Sequence, residues 1–292
     1  MQSPSNTVSQ APIDRCLEAL KKARENFARI ADAHKRVLFA EEAEFARSIL
    51  LRSVPVRGDR SAFKLCFCDP DSVYHAILQV AKIGVTLNPT EGLAYLVPRK
   101  NQQRGGILEC HLEISYKGMI QLAIECGTIT HVVSEQVFQE DLDSGAFQYL
   151  GPAAEPIVKT NPFSSSKSNT SSVGVWCTAF LKSGGVMTTY MRRDELDTVK
   201  LMSFNKDGWN KFSSEYEKKT CIRRAFKLWP KPRNDDRLAA AIAYMNETES
   251  PQFSEQPPAP QPHTIASTQN QGGMAAMIAA GTQGRSHVNQ HR

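Results

Sequence analysis

The sequence predicts an α+β fold: a small antiparallel sheet with hairpins, packed by several helices, and a disordered C-terminal tail. Three observations predict it. Apolar residues recur at helical spacing through the first third of the chain and again over 193–245. Between these regions "ILECHLEISY" (107–116) alternates. Leu108, Cys110, Leu112, Ile114 and Tyr116 fall on one side and Glu109, His111, Glu113 and Ser115 on the other, as in a half-buried strand. From about Ser250 the chain turns rich in Pro, Gln, Ser and Gly.

The elements follow in order. Residues 1–11 are polar and read as disordered. "IDRCLEALKKARENFARI" (13–30) and "KRVLFAEEAEFARSILLRSV" (35–54) read as helices. A third covers "DPDSVYHAILQVAKIG" (69–84), with Asp71 or Ser72 as N-cap, Pro70 near the start and Gly84 as left-handed cap. "LAYLV" (93–97) and 107–116 form a hairpin whose polar tip, "PRKNQQRGG", carries Arg99, Lys100 and Arg104. A helix (117–127), a strand (128–138), a turn at "EDLDSG" and a short strand "AFQYL" come next. "PFSSSKSNTSS" (162–172) reads as a mobile loop. A second hairpin spans 173–192, and helices cover 193–203, 209–229 and 237–245. Pro230 and Pro232 stop the second of these.

Charge is local. The chain carries +5 overall, yet Lys211–Arg233 alone holds eight cations against two acids, Glu215 and Glu217. Seven cysteines with no CxxC spacing and a polar amino terminus read as reduced, mostly buried thiols of a cytoplasmic protein. No apolar run approaches the roughly 20 residues of a membrane helix. Walker A, HExxH, GxSxG and HxE…PCxxC patterns are absent, so neither a cofactor nor catalysis is expected. Cys110, His111, Cys126 and His131 do not have zinc spacing. "DLDSG" (Asp141, Asp143, Gly145) opens like a calcium loop but lacks its closing Glu, and a hairpin turn explains it better. Glu109 and Glu113 share a strand face without a partnered base, as solvent-facing carboxylates do.

On a wheel of the 211–229 segment, Cys221, Ile222, Ala225, Leu228 and Trp229 gather on a core side. Lys219, Arg223 and Lys227 form a row on the other, stepping about 6 Å. Tyr216 lies beside the row and Phe226 near its edge. Such a row can pair with successive phosphates, and rings beside it can stack on unpaired bases. A row of this kind is more often the solvated face of an ordinary helix, so the spacing alone does not decide.

Three blocks separate these readings: "IGVTLNPTEGLAYLVP" (83–98), "YKGMIQLAIECG" (116–127) and "EKKTCIRRAFKLWP" (217–230). In content, order and separation they resemble the signature blocks of the RecT family, phage-type single-strand annealing proteins related to the phage lambda Redβ group. The similarity covers roughly 37–246. The resemblance implies a protein that binds single-stranded DNA, assembles into rings or helical filaments and pairs complementary strands without ATP or bond chemistry. It carries DNA contact onto Tyr116 and Lys117 of the second block and Lys218, Lys219, Arg223, Arg224 and Lys227 of the third. Arg99, Lys100 and Arg104 join them on charge alone. Residues 12–249 would then be the annealing and oligomerisation domain. Residues 250–292 would be a flexible tail docking an exonuclease or a single-strand-binding protein, with Met274, Met277 and Ile278 at anchor spacing; an inert tail is the plainer reading. A passive protein that coats single strands without annealing them needs the same cations and rings, and the family resemblance favours the annealer. Ser115 and Leu93 depart from the family pattern, where Gly and His are common.

Overall fold

A computed structural model describes residues 11–55, 63–167, 171–203 and 206–249. The expected disorder of residues 1–10, and the expected tail 250–292 with its Met274–Ile278 anchor, lie outside the described residues.

The described chain is helical as far as Ile83. α1 (Pro12–Lys22), α2 (Arg24–Ala31) and α3 (Phe39–Arg52) pack with α4 (Pro70–Ile83). The first expected helix is two, α1 and α2, meeting at Ala23. Pro70 opens α4, where its missing N–H costs no hydrogen bond. Gly84 closes it at φ +70°. The cap residue is Asp69 rather than Asp71 or Ser72, and the Ser72 hydroxyl donates to its carbonyl at 2.5 Å.

β1 (Ala94–Asn101) and β2 (Ile107–Ile114) pair antiparallel and pack on α4. Cys110, Leu112 and Ile114 are buried, as the alternation requires. Tyr116 does not continue that strand; it is the first residue of α5 (Tyr116–Glu125). Ser115 caps this helix. Its hydroxyl oxygen accepts from Gly118 N at 3.0 Å and donates to the Gly92 carbonyl at 2.8 Å.

The strands are divided among several sheets. β3 (Ile129–Phe138), β6 (Ser172–Leu181) and β7 (Val186–Arg192) form one of order β3-β6-β7, all antiparallel. β4 (Phe147–Gln148) pairs with an unexpected β5 (Ile157–Val158). The "EDLDSG" turn forms a short helix, α6 (Gln139–Asp143). The start of the Ser-rich stretch is anchored rather than loose: Lys167 Nζ lies 2.8 Å from Asp141, and Ser164 and Ser166 bond Glu140. Residues 168–170 lie outside the described residues.

α7 (Arg193–Met202), α8 (Lys206–Lys211), α9 (Ser213–Phe226) and α10 (Arg237–Glu249) complete the fold. The central strand β6 is covered on both faces. Val175, Cys177 and Ala179 join the main core under α9, and Trp176 packs with Val137 and Phe147 opposite. All seven cysteines are free and buried. Burial pushes Cys16 up to about 11 and Cys68 and Cys177 up to about 12, values of inert thiols rather than nucleophiles.

Candidate nucleic-acid interface

The segment 209–229 breaks at Phe212 (φ −132°, ψ 45°), which separates α8 from α9 and is 62% exposed. α9 then lies on the β3-β6-β7 sheet. Its inner face holds Ser213, Glu217, Cys221, Ile222, Ala225 and Phe226, all buried. The helix tightens at its end: Leu228 N donates to the Ala225 carbonyl and Trp229 N to that of Phe226, both three residues back. Leu228 lies beyond the end of α9 and is 59% exposed, while Trp229 stays inside at 2%. Leu228 is therefore not a core residue. Phe226 is fully buried edge-on to Trp229, so it offers no ring to a base.

Glu217 does not oppose the cations from outside. Its carboxylate sits beneath the helix and accepts from Gln136 Nε2 and Ser172 Oγ at 2.7 Å and from Arg193 Nη1 at 2.8 Å. The sequence held a signal for this, since Glu217 is spaced i, i+4, i+8 with the core positions Cys221 and Ala225. The buried acid clamps α9 to β3, β6 and the start of α7, and the cationic face is turned away from it.

The structure brings several expected residues together. Lys219 Nζ stands 5.5 Å over the Tyr216 ring, which also packs 5.4 Å from Trp209. Arg223 on α9 and Lys227, which caps its end, are half-buried. Lys218 lies 2.9 Å from Glu215. Burial pulls the Lys218 ammonium down, but the Glu215 hydrogen bond and neighbouring Glu135 and Tyr116 outweigh it and hold it above the usual lysine value. Tyr116 thus joins the α9 group, where α5 packs on α9, and Lys117 is exposed one residue on. Arg224 points toward α7 and pairs with Glu195 at 2.7 Å.

The hairpin cations are engaged differently. Arg99 bonds Glu113 at 3.2 Å, and Arg104 bonds Glu109 at 2.7 Å and Asp69 at 3.1 Å, while Lys100 is exposed. Arg99 and Lys100 belong to β1 itself rather than to a loop. Burial pushes Glu109 up, but hydrogen bonds from Arg104, Asn101 and His111 override it and hold it low. Glu109 and Glu113 are therefore arginine partners. The hairpin packs on α4 and the Leu65–Phe67 turn. Asp141, the first acid of the calcium-like stretch, is tied to Lys167. Among the described residues no group of three or more His, Cys, Asp or Glu could hold a metal ion.

Comparison with known proteins bears on these blocks directly. Protein RecT of Escherichia coli (strain K12) is 29% identical over 204 residues, 69% of this chain and 70% of that protein. The RecT family model matches residues 47–257, a span that contains β1, β2, α5, α9 and all three sequence blocks. The chain belongs to the RecT family.

Proposed function

We propose that this chain binds single-stranded DNA along the outer face of α9 and anneals complementary strands in recombination, without ATP and without bond chemistry. One observation carries the reading: the third family block folds into α9, whose inner face is clamped by buried Glu217 while Lys218, Lys219, Arg223 and Lys227 remain on other faces. Contacts of this kind hold phosphates and carry no sequence information, so pairing itself can read the sequence. Tyr116 and Lys117 extend the surface at α5. Lys100 is the exposed cation of the hairpin, whereas Arg99 and Arg104 are held by carboxylates and would have to exchange them for phosphate to take part.

Family membership supports a homo-oligomer, ring or filament, as the working form. It also supports a tail, residues 250–292, that recruits an exonuclease or a single-strand-binding protein. The cytoplasm, where such DNA is processed, is the proposed location; no helix among the described residues is long and apolar enough to cross a membrane.

The test is annealing of two complementary oligonucleotides without ATP, by wild type and by Arg223→Ala with Lys227→Ala. Fast pairing by wild type, lost in a folded double variant, is the expected result. Wild-type binding that slows pairing would make this a coating protein instead.

A further inference from the structure

We infer that a depression at the outer edge of β7 is a stacking site for an unpaired nucleobase of the bound strand. The inference rests on the reading of α9 as a single-strand interface and adds a base subsite to it.

The depression, about 340 Å³, lies within the roughly 300–1,000 Å³ of ordinary ligand pockets. It wraps the edge of the sheet. Its lining includes Tyr149, from the segment after β4, Tyr190 and Arg192 on β7, Glu195 on α7, and Arg224 and Leu228 at and just past the end of α9. A hydrogen bond from Thr188 N to the Pro152 carbonyl, 2.7 Å, ties the Tyr149 segment to β7. The two tyrosine rings meet edge to face, centroids 5.1 Å apart, yet remain 41% and 49% exposed. Edge-to-face pairing leaves ring surface available to another planar group.

Charge identifies that group. Arg192 is held by Asp194 through two hydrogen bonds of 2.9 and 3.0 Å, and Arg224 by Glu195. Both guanidiniums already have a carboxylate, so the rim favours a neutral planar ligand with donors and acceptors over a bare phosphate. A nucleobase is such a ligand, and both tyrosine and arginine planes stack on bases. Arg224, on α9, and Leu228, just past its end, both line the depression, so it borders the helix that carries the proposed strand path. In duplex DNA the base faces are already stacked, so this site distinguishes single strands.

The experiment uses the full chain and oligodeoxynucleotides containing 2-aminopurine, whose fluorescence is quenched on stacking. Wild type is expected to quench it. Tyr149→Ala and Tyr190→Ala should each abolish quenching and weaken binding about 5- to 150-fold. Tyr190→Phe, which keeps the ring, should retain both. Loss in Tyr190→Phe equal to that in Tyr190→Ala would overturn stacking. If the Ala variants do not fold, wild type decides alone: an abasic strand bound as tightly as an oligodeoxythymidine of equal length overturns the site. Ala variants that bind and quench as wild type, beside an Arg223→Ala, Lys227→Ala variant that does not bind, would remove the site and leave the α9 reading intact. A wild type that binds no strand removes both.

Discussion

Glu217 accepts a hydrogen bond from the Arg193 guanidinium at 2.8 Å, with 1% of the Glu217 side chain exposed against 30% of Arg193. The same carboxylate takes donors from β3 and β6. A buried carboxylate is tolerated only when such partners replace water. Here the partners come from three elements, so one side chain sets the position of α9 on the sheet and with it the direction of the cations.

Glu217→Ala should therefore act on stability as well as on DNA. Removing one member of a buried ion pair costs about 3–5 kcal/mol. Arg193 keeps some access to water, which places the loss near the lower end. The urea midpoint should fall with an unchanged slope. A variant as stable as wild type would show that Glu217 is no clamp.

Gly118 carries a second, independent constraint. A Cβ there would stand 2.2 Å from the Leu93 carbonyl oxygen, a backbone atom just before β1. The same carbonyl accepts from Ser115 N at 2.9 Å, so the first and second family blocks are locked together at this point. Gly118→Ala must push β1 and α5 apart, a loss beyond the usual roughly 1–3 kcal/mol of overpacking. Gly105→Ala, with no atom within 4 Å, should cost only the roughly 1–2 kcal/mol of its left-handed backbone. Thermal melting of the two variants checks the order; a smaller loss at Gly118 would refute it.

How much of this was legible beforehand follows from the range of the interactions. The β2 alternation and the Gly84 cap are local, and both read correctly from neighbouring residues. The exposure of Leu228 was hidden because a uniform 100° step runs past the end of α9 at Phe226. Glu217 had core spacing, but its charge argued for water until Arg193, Ser172 and Gln136 supplied partners remote in sequence. The pairing of Lys167 with Asp141 spans 26 residues and has no local signal. Arg99 and Arg104 looked like free cations because their acids are set by strand register and by Asp69. The cationic row of α9 was legible, and the tyrosine depression was not, since it assembles from a loop, an edge strand and two helices.

Acid should weaken the fold partly through Asp235. Burial alone would push its carboxyl up, but hydrogen bonds from the Arg237 side chain and backbone override this and hold it at about 2. Arg237, only 3% exposed, also bonds Glu125 at 3.1 Å, joining α10 to α5. A depressed folded-state pKa gives stability that is present above the unfolded value, near 3.8, and lost as pH falls toward 2. Asp235→Asn should be less stable than wild type at neutral pH, with the difference shrinking across that window. Urea midpoints at pH 7, 4 and 2.5 test it; a difference that does not shrink would assign the loss to something other than ionisation.

Salt separates the two basic surfaces. Each phosphate contact on a single strand contributes about −0.7 to the slope of log affinity against log salt. If Arg223 and Lys227 each neutralise a phosphate, the double alanine variant should have a slope shallower by about 1.4. Arg104, on the hairpin, is held by Glu109 and Asp69. Arg104→Ala releases two carboxylates at the hairpin, so it should lower stability modestly while the slope stays within about 0.3 of wild type. Titrations of a labelled oligodeoxythymidine across a salt series read both slopes. An unchanged slope in the α9 variant would deny phosphate contact there, and a fall of about 0.7 in Arg104→Ala would move DNA onto the hairpin.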